Sequence, residues 1–251
     1  MEKKLKAFKR LLRIMKTLRE ECPWDQSQTF ESLRTLTIEE TYELGEAILN
    51  QDHQEIKEEL GDLFMHLVFY SIIAEENGEF DVSQILNDVC EKLIIRHPHI
   101  YGERFHENEQ EVSSNWEKIK LQSGKKSVLE GVPIGLPALV KAYRLQDKTA
   151  QVGFEWKSRE DVWKKVEEEI GELKEAIRIG NPTEIEEEYG DVLFSLVNYG
   201  RFLKIDPENA LERINKKFKK RFEFIETHSD KPIFEMTLEE MDVLWQLAKE
   251  Q

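Results

Sequence analysis

The sequence predicts an all-α fold of two tandem, homologous helical-bundle domains, each with an antiparallel helix hairpin carrying an E-x-x-E and an E-x-x-D motif. Three observations predict it. Apolar residues recur at spacings of three and four, and runs of strict alternation are short. Glycine and proline are scarce, 12 and 7 in 251 residues, which argues against a turn-rich β fold. The chain is also written twice. EIKEELGDLFMHLVFY (55–70) returns 129 positions later as EIEEEYGDVLFSLVNY (184–199), with nine of sixteen residues identical. A repeat of about 115 residues is a domain, not a solenoid unit.

The first element is a basic amphipathic helix, MEKKLKAFKRLLRIMK. It has no uninterrupted apolar run, so it reads as neither a signal peptide nor a membrane span. A first domain helix explains it better than a membrane-surface helix, because a similar segment, LVKAYRLQDKTAQ (139–151), recurs inside the chain. CPWD (22–25) comes next and stands where GFEW (153–156) stands in the second copy. EETYELGEAI (39–48) opens the hairpin and returns as EEIGELKEAI (168–177). Asn50-Gln51-Asp52 marks the turn weakly; Gly180-Asn181-Pro182 marks it clearly, since glycine suits a helix end and proline a first helical turn. Loops this short make the helices antiparallel. A third helix follows each hairpin, at roughly 82–96 and 207–226, and SNWEKIK (114–120) parallels VLWQLAK (243–249). QSGKKSVLEGVPIGLP has three glycines, two prolines and no helical period, so it reads as a linker. The expected domains are therefore residues 1–121 and 138–251, with the linker at 122–137.

Composition narrows the function. Hydrophobic residues at 39% and charged residues at 35% fit neither a membrane protein nor a disordered one. A net charge of −15 argues against a nucleic-acid polymer as partner, because polymer binding needs basic surface. Two cysteines, Cys22 and Cys90, form no framework, which suits a reduced, cytoplasmic setting.

The acids carry the chemistry. Glu40 and Glu43 are three apart on the first hairpin helix, and Glu59 and Asp62 on the second, so each pair shares a face. Residues equidistant from the turn lie level, which pairs 40 with 62 and 43 with 59. Glu169, Glu172, Glu188 and Asp191 repeat this around Gly180. At about 100° per residue, Leu33, Leu36, Leu44 and Ala47 lie within about 40° of Glu40. An acid centred in an apolar stripe does not behave as a solvated charge. Two carboxylates about 4 Å apart repel by roughly 4 kcal/mol at an effective dielectric near 20. Either their pKa values rise or a cation joins them. All-oxygen ligands select a hard ion, magnesium by default, with manganese as the alternative.

With these residues in place, the chain resembles the MazG family of nucleoside triphosphate pyrophosphohydrolases. E-E-x-x-E followed by E-x-x-D in a hairpin carries the resemblance, with CPWD, RHPHIYGE (96–103) and VGFEW (152–156) flanking it. The resemblance covers nearly the whole chain. It implies a homodimer that cleaves a nucleoside triphosphate to the monophosphate and pyrophosphate with magnesium, in a nucleotide housecleaning role. It carries the metal-ligand roles onto Glu40, Glu43, Glu59 and Asp62 and onto Glu169, Glu172, Glu188 and Asp191. The spare Glu39 and Glu168 become candidates to orient or deprotonate water. Phosphate binding falls to Lys165, to Lys217 and Arg221 four apart on the third helix, and to Lys92 and Arg96 at the matching positions of the first copy. Trp245 and Trp116 become candidates to stack on a base. The second copy is more basic where phosphates would sit, whereas the first carries Leu36 and Ile94 among the aligned positions. The second is therefore the expected main site.

Two rival readings belong to other classes. A carboxylate-bridged di-iron oxidoreductase needs Glu-x-x-His on its ligand helices, and no histidine follows the motif glutamates at that spacing. A non-catalytic helical interaction module leaves the inward acids unexplained. His97 and His99 bracket Pro98 at a zinc-like spacing, but no further ligand joins them, so they read as a loop or hinge.

Overall fold

The structure is a computed structural model that describes residues 1–102 and 127–250. Every regular element among them is helical. The chain divides into two compact units, Met1–His106 and Glu107–Gln251. Trp116, one of the two candidate stacking residues, lies outside the described residues.

The first unit begins with α1 (Glu2–Glu21) and the short α2 (Pro23–Ser27). The hairpin follows as α3 (Phe30–Asn50) and α4 (His53–Glu76), then α5 (Val82–Arg96) and α6 (Pro98–Tyr101). Local chemistry sets these boundaries. Thr29 and Ser32 form a reciprocal capping box at the start of α3, and Asp52 caps α4 through Gln54 N and Glu55 N. Gln51 closes α3 in the left-handed region at φ 57°. Gly180 does the same job in the second unit at φ 82°, where the missing Cβ removes the steric cost.

The core of the first unit joins α1 to the hairpin. Met15, Leu33, Val68, Phe69 and Ile73 are buried together, with Leu36 and Ile72 packed against them. Arg19 ties the end of α1 to this core. Its Nε and Nη2 donate to the Glu76 carboxylate at 3.0 and 2.9 Å, and Nη1 donates to the carbonyls of Gln26 and Gln28. One guanidinium thus satisfies the loop backbone at α2 and the C-terminal end of α4.

The second unit repeats the plan. Its helices are α7 (Ala138–Ala150), α8 (Arg159–Ile179), α9 (Pro182–Phe202), α10 (Pro207–His228) and α11 (Leu238–Leu247), with a 3-10 turn at Ile233–Glu235. Asn181 caps α9 and Pro182 opens it. Val162 and Leu33, 129 positions apart, are 1% and 0% exposed, so the apolar stripe reaches equivalent depths in both hairpins. Val128 and Leu129, within the stretch read as a linker, meet this unit: the buried Lys148 Nζ donates to Val128 O at 3.2 Å, and Leu129 lines a cavity beside α8 and α9. No helix among the described residues is long and apolar enough to cross a membrane.

Candidate functional site

Each hairpin brings three of its four motif acids together. Carboxylate oxygens of Glu40, Glu43 and Glu59 lie within 4.8 Å of one another, and those of Glu169, Glu172 and Glu188 do likewise. Asp62 and Asp191 stand just outside these triads, their side chains one methylene shorter. Asp62 still acts on Glu40 and Glu59 through its charge, and Asp191 lines a cavity with Glu169. Glu43 and Glu59, expected level with each other, meet in the first triad, while Glu40, expected level with Asp62, also shares a hydrogen bond with Glu59. Long glutamate side chains reach across about one helical turn, which backbone height alone does not register.

At the first triad the raising influences lead. Burial, then the hydrogen bond to Glu59, then the charges of Asp62, Glu43 and Glu59 push the Glu40 carboxyl up from 4.5 to about 7. Burial also raises Glu59, against the opposing effect of the Glu40 hydrogen bond. One proton shared between them, resting on Glu40, accounts for both directions. The stabilisation that goes with a neutral Glu40 is complete below about 4.5, the unfolded value, and is lost as pH rises through about 7. Glu40→Gln is therefore expected to raise the thermal unfolding midpoint by a few degrees in chelator at pH 8 and to leave it unchanged at pH 4. Differential scanning calorimetry at both pH values checks this; an equal shift at each contradicts it.

The second triad is partly compensated. Lys165 Nζ donates at 2.7 Å to both Glu168 and Glu169. Leu36 stands at the matching position of the first unit. The Glu169 side chain is 9% exposed, and an ammonium at contact distance is what lets a carboxylate stay there. The hydrogen bond that Glu172 donates to Glu169, with burial and the charges of Glu169 and Glu188, still raises the Glu172 carboxyl, while Lys165 opposes the rise. The two carboxylates raise the Lys165 pKa in turn.

One atom recurs in both clusters. Glu59 Oε2 and Glu188 Oε2, 129 positions apart, are both buried with no hydrogen-bond partner. A polar atom in that state costs roughly 1–3 kcal/mol, and a bound cation among acids would remove the cost. The donor set is all oxygen and hence suited to a hard divalent ion. The residues present fit such an ion. No histidine belongs to either cluster among the described residues. His66 is buried one turn past Asp62, faces Thr37 Oγ1 at 3.3 Å, and is held toward the neutral form by burial. The di-iron pattern therefore lacks its nitrogen ligands.

A cavity of about 680 Å³ adjoins the second triad. Lys165, Glu169 and Asp191 line one part of it, and Trp156, Phe154, Gln146, Asn198 and Arg201 line another. The spacing of the acids does not mark Gln146, Asn198 or Arg201, although Arg201 and Asn198 follow Asp191 on α9, and Phe154 and Trp156 stood out only as part of the VGFEW segment. Lys217, Arg221 and Trp245 do not line this cavity. Arg221 instead lies over the Trp245 ring at 5.5 Å, and Phe218 meets the same ring at 5.2 Å. Glu39 and Glu168 are exposed beside their triads. In the first unit Lys92 is exposed on α5 and Arg96 is half-buried at its end. His97 caps α5, its Nδ1 2.6 Å from Leu93 O.

Two helical hairpins, each converging its acids on a buried unpartnered oxygen, define a tandem all-α carboxylate-cluster protein. A family model described as the MazG nucleotide pyrophosphohydrolase domain matches the chain twice, at residues 28–101 and 157–226. The chain is 44% identical to the nucleoside triphosphate pyrophosphohydrolase/pyrophosphatase MazG of Thermotoga maritima, over 96% of this chain and 95% of that one. It is 41% identical to the nucleoside triphosphate pyrophosphohydrolase of Escherichia coli K12, over 96% and 97%. The chain belongs to the MazG family.

Proposed function

We propose that the protein hydrolyses nucleoside triphosphates to the monophosphate and pyrophosphate at the acid cluster of its second unit. The observation that carries this reading is the paired orphan oxygen, Glu59 Oε2 and Glu188 Oε2, each set among converging acids. An interaction module gives no reason to bury an unpartnered carboxylate twice. The names of the relatives at 44% and 41% identity support the reaction class.

Glu169, Glu172, Glu188 and Asp191 hold a divalent cation, magnesium by default and manganese as the alternative. When bound, that ion supplies neutralising charge to phosphate oxygens and lowers the pKa of a coordinated water. The chain's own residues do the rest. Lys165 turns from Glu168 and Glu169 toward the phosphates and balances the negative charge of departing pyrophosphate. Glu168, released from that ion pair, orients the attacking water and takes its proton. Lys217 and Arg221 supply further positive charge from α10.

Glu40, Glu43, Glu59 and Asp62, with Glu39, form a second cation site with a structural or regulatory role. The first unit fills with apolar side chains, Leu36, Phe69 and Ile72, what the second lines with Lys165, Asn198 and Arg201. That difference supports the second unit as the main site. The enzyme works as a homodimer in the cytoplasm on the nucleotide pool. Exposed apolar side chains such as Phe64, Leu67, Ile214 and Phe218 are of the kind an interface covers.

The test is pyrophosphate release from a panel of ribo- and deoxyribonucleoside triphosphates, with magnesium and with chelator. Release that depends on the metal is expected. Absence of release from every nucleotide sinks the reading.

A further inference from the structure

The cavity beside α8 and α9 holds two carboxamides whose orientations are both fixed. Gln146 is 7% exposed. Its Nε2 donates to Phe194 O at 2.8 Å. The reverse orientation would set two oxygens against each other, so the amide cannot flip. Its Oε1 is left buried without a partner. Asn198 is fixed the other way round. Arg201 donates to Asn198 Oδ1 from Nε at 3.3 Å and from Nη2 at 3.1 Å. Arg201 is itself held by an ion pair with Glu155 and is only 13% exposed. The amide uncommitted on Asn198 is therefore Nδ2, a donor. One lining residue offers a fixed acceptor and the other a fixed donor.

The first unit lacks all of this by coordinated replacement. Pairing AFKRLLRIMKTLREECPWD (7–25) with ALVKAYRLQDKTAQVGFEW (138–156) sets Met15 against Gln146. The 129-residue offset sets Phe69 against Asn198 and Ile72 against Arg201. Met15 and Phe69 are core residues, each 2% exposed, and Ile72 packs against them. Three apolar core positions in one copy are three hydrogen-bonding positions in the other. Burying polar groups in place of a packed core costs stability, so their presence calls for a ligand.

The chemistry of the pair identifies the ligand. Every nucleobase sets an N–H donor beside a lone-pair acceptor on its hydrogen-bonding edge, and buried Asn and Gln amides match that pattern. A base taken into a pocket is read by such contacts and by stacking on aromatic rings. Trp156 and Phe154, 45% and 82% exposed, line the same cavity. Asn198 lies seven residues, or two turns, beyond Asp191 on one face of α9, a separation of about 10 Å along the axis. That leaves room for a sugar and the first phosphate between the base edge and the acids.

We propose that this cavity is a nucleobase-reading site, in which Gln146 accepts from and Asn198 donates to the edge of the base while Trp156 and Phe154 flank its ring. The assignment rests on the hydrolase reading above and adds to it the residues that determine specificity. Arg201 and Glu155 act as positioning residues for Asn198.

The test compares nucleoside triphosphates with ribose 5-triphosphate, which has no base. Gln146→Met installs the residue of the first unit, and Gln146→Asn and Asn198→Leu are companion variants. Each is expected to lower kcat/KM on the preferred nucleotide by about 10- to 100-fold and to leave ribose 5-triphosphate unaffected. Preferences among the four bases should narrow in parallel. Equal losses on both substrates in all three variants, or no loss, overturn the assignment. Calorimetry with nucleoside monophosphates and ribose 5-phosphate separates the two readings. If the wild type releases no pyrophosphate yet binds monophosphates through Gln146, the reaction is wrong and the pocket stands. If it releases pyrophosphate but Gln146→Met binds every monophosphate as the wild type does, only the pocket is wrong.

Discussion

Glu172→Ala is expected to lower kcat/KM for pyrophosphate release by about a thousandfold, whereas Glu43→Ala, at the matching position of the first unit, leaves turnover nearly unchanged. Both residues belong to converging triads, so the acids alone predict equal effects. The surroundings break the symmetry. Only the second triad adjoins the described cavity with Lys165, Asn198 and Arg201 in its lining. In the first, Leu36 and Ile72 pack against the Phe69 core. A cation held at Glu43 therefore lacks the partners that Lys165, Asn198 and Arg201 provide in the second unit. Steady-state kinetics of the two variants decide this, with folding verified by circular dichroism. Equal losses would place activity in both units and remove the asymmetry.

Lys165→Leu is expected to lower kcat/KM by about 10²-fold or more and to move the acid limb of the pH profile to higher pH. The first effect follows from losing the ammonium that the proposed reaction sets beside the phosphates. The second follows from electrostatics. Lys165 lowers the pKa of Glu172, which burial and Glu169 already raise. Without it the carboxylates hold protons to higher pH, and a protonated carboxyl is a poor ligand for a hard cation. Lys165→Arg retains the charge and should leave the acid limb in place. The reciprocal change, Leu36→Lys, sets a cation beside the first triad and should bring the Glu40 carboxyl down from about 7. A carboxyl titration followed by NMR measures that shift. An unmoved acid limb in Lys165→Leu would show that Lys165 does not control the protonation of the cluster.

Much of this protein was legible before any coordinates. The third helices expected at 82–96 and 207–226 are Val82–Arg96 and Pro207–His228, because a capping aspartate begins each one, Asp81 and Asp206. The hairpin turns were readable from Gly180 and Pro182, and less so from Gln51, a residue with no intrinsic preference for positive φ. The convergence of the acids was readable in part: helical spacing sets Glu40 with Glu43 and Glu59 with Asp62 on shared faces, and three of the four expected acids meet in each hairpin. What escaped was Gln146, Asn198 and Arg201. A single glutamine or asparagine in an amphipathic helix reads as ordinary surface, and only its comparison with Met15 or Phe69 in the other copy marks it. Trp245 looked free to stack on a ligand, yet Phe218 and Arg221 already meet its ring, a long-range packing outcome that periodicity does not report.

The sequence by itself determined the all-helical duplication and the hairpins, because these depend on local spacing and capping. Tertiary structure decided which oxygens meet, which carboxyls are pushed up and which side chains line the cavity beside the second triad. Those outcomes depend on distances between side chains from different helices, where a difference of one methylene or the exchange of Leu36 for Lys165 changes the balance between burial and charge.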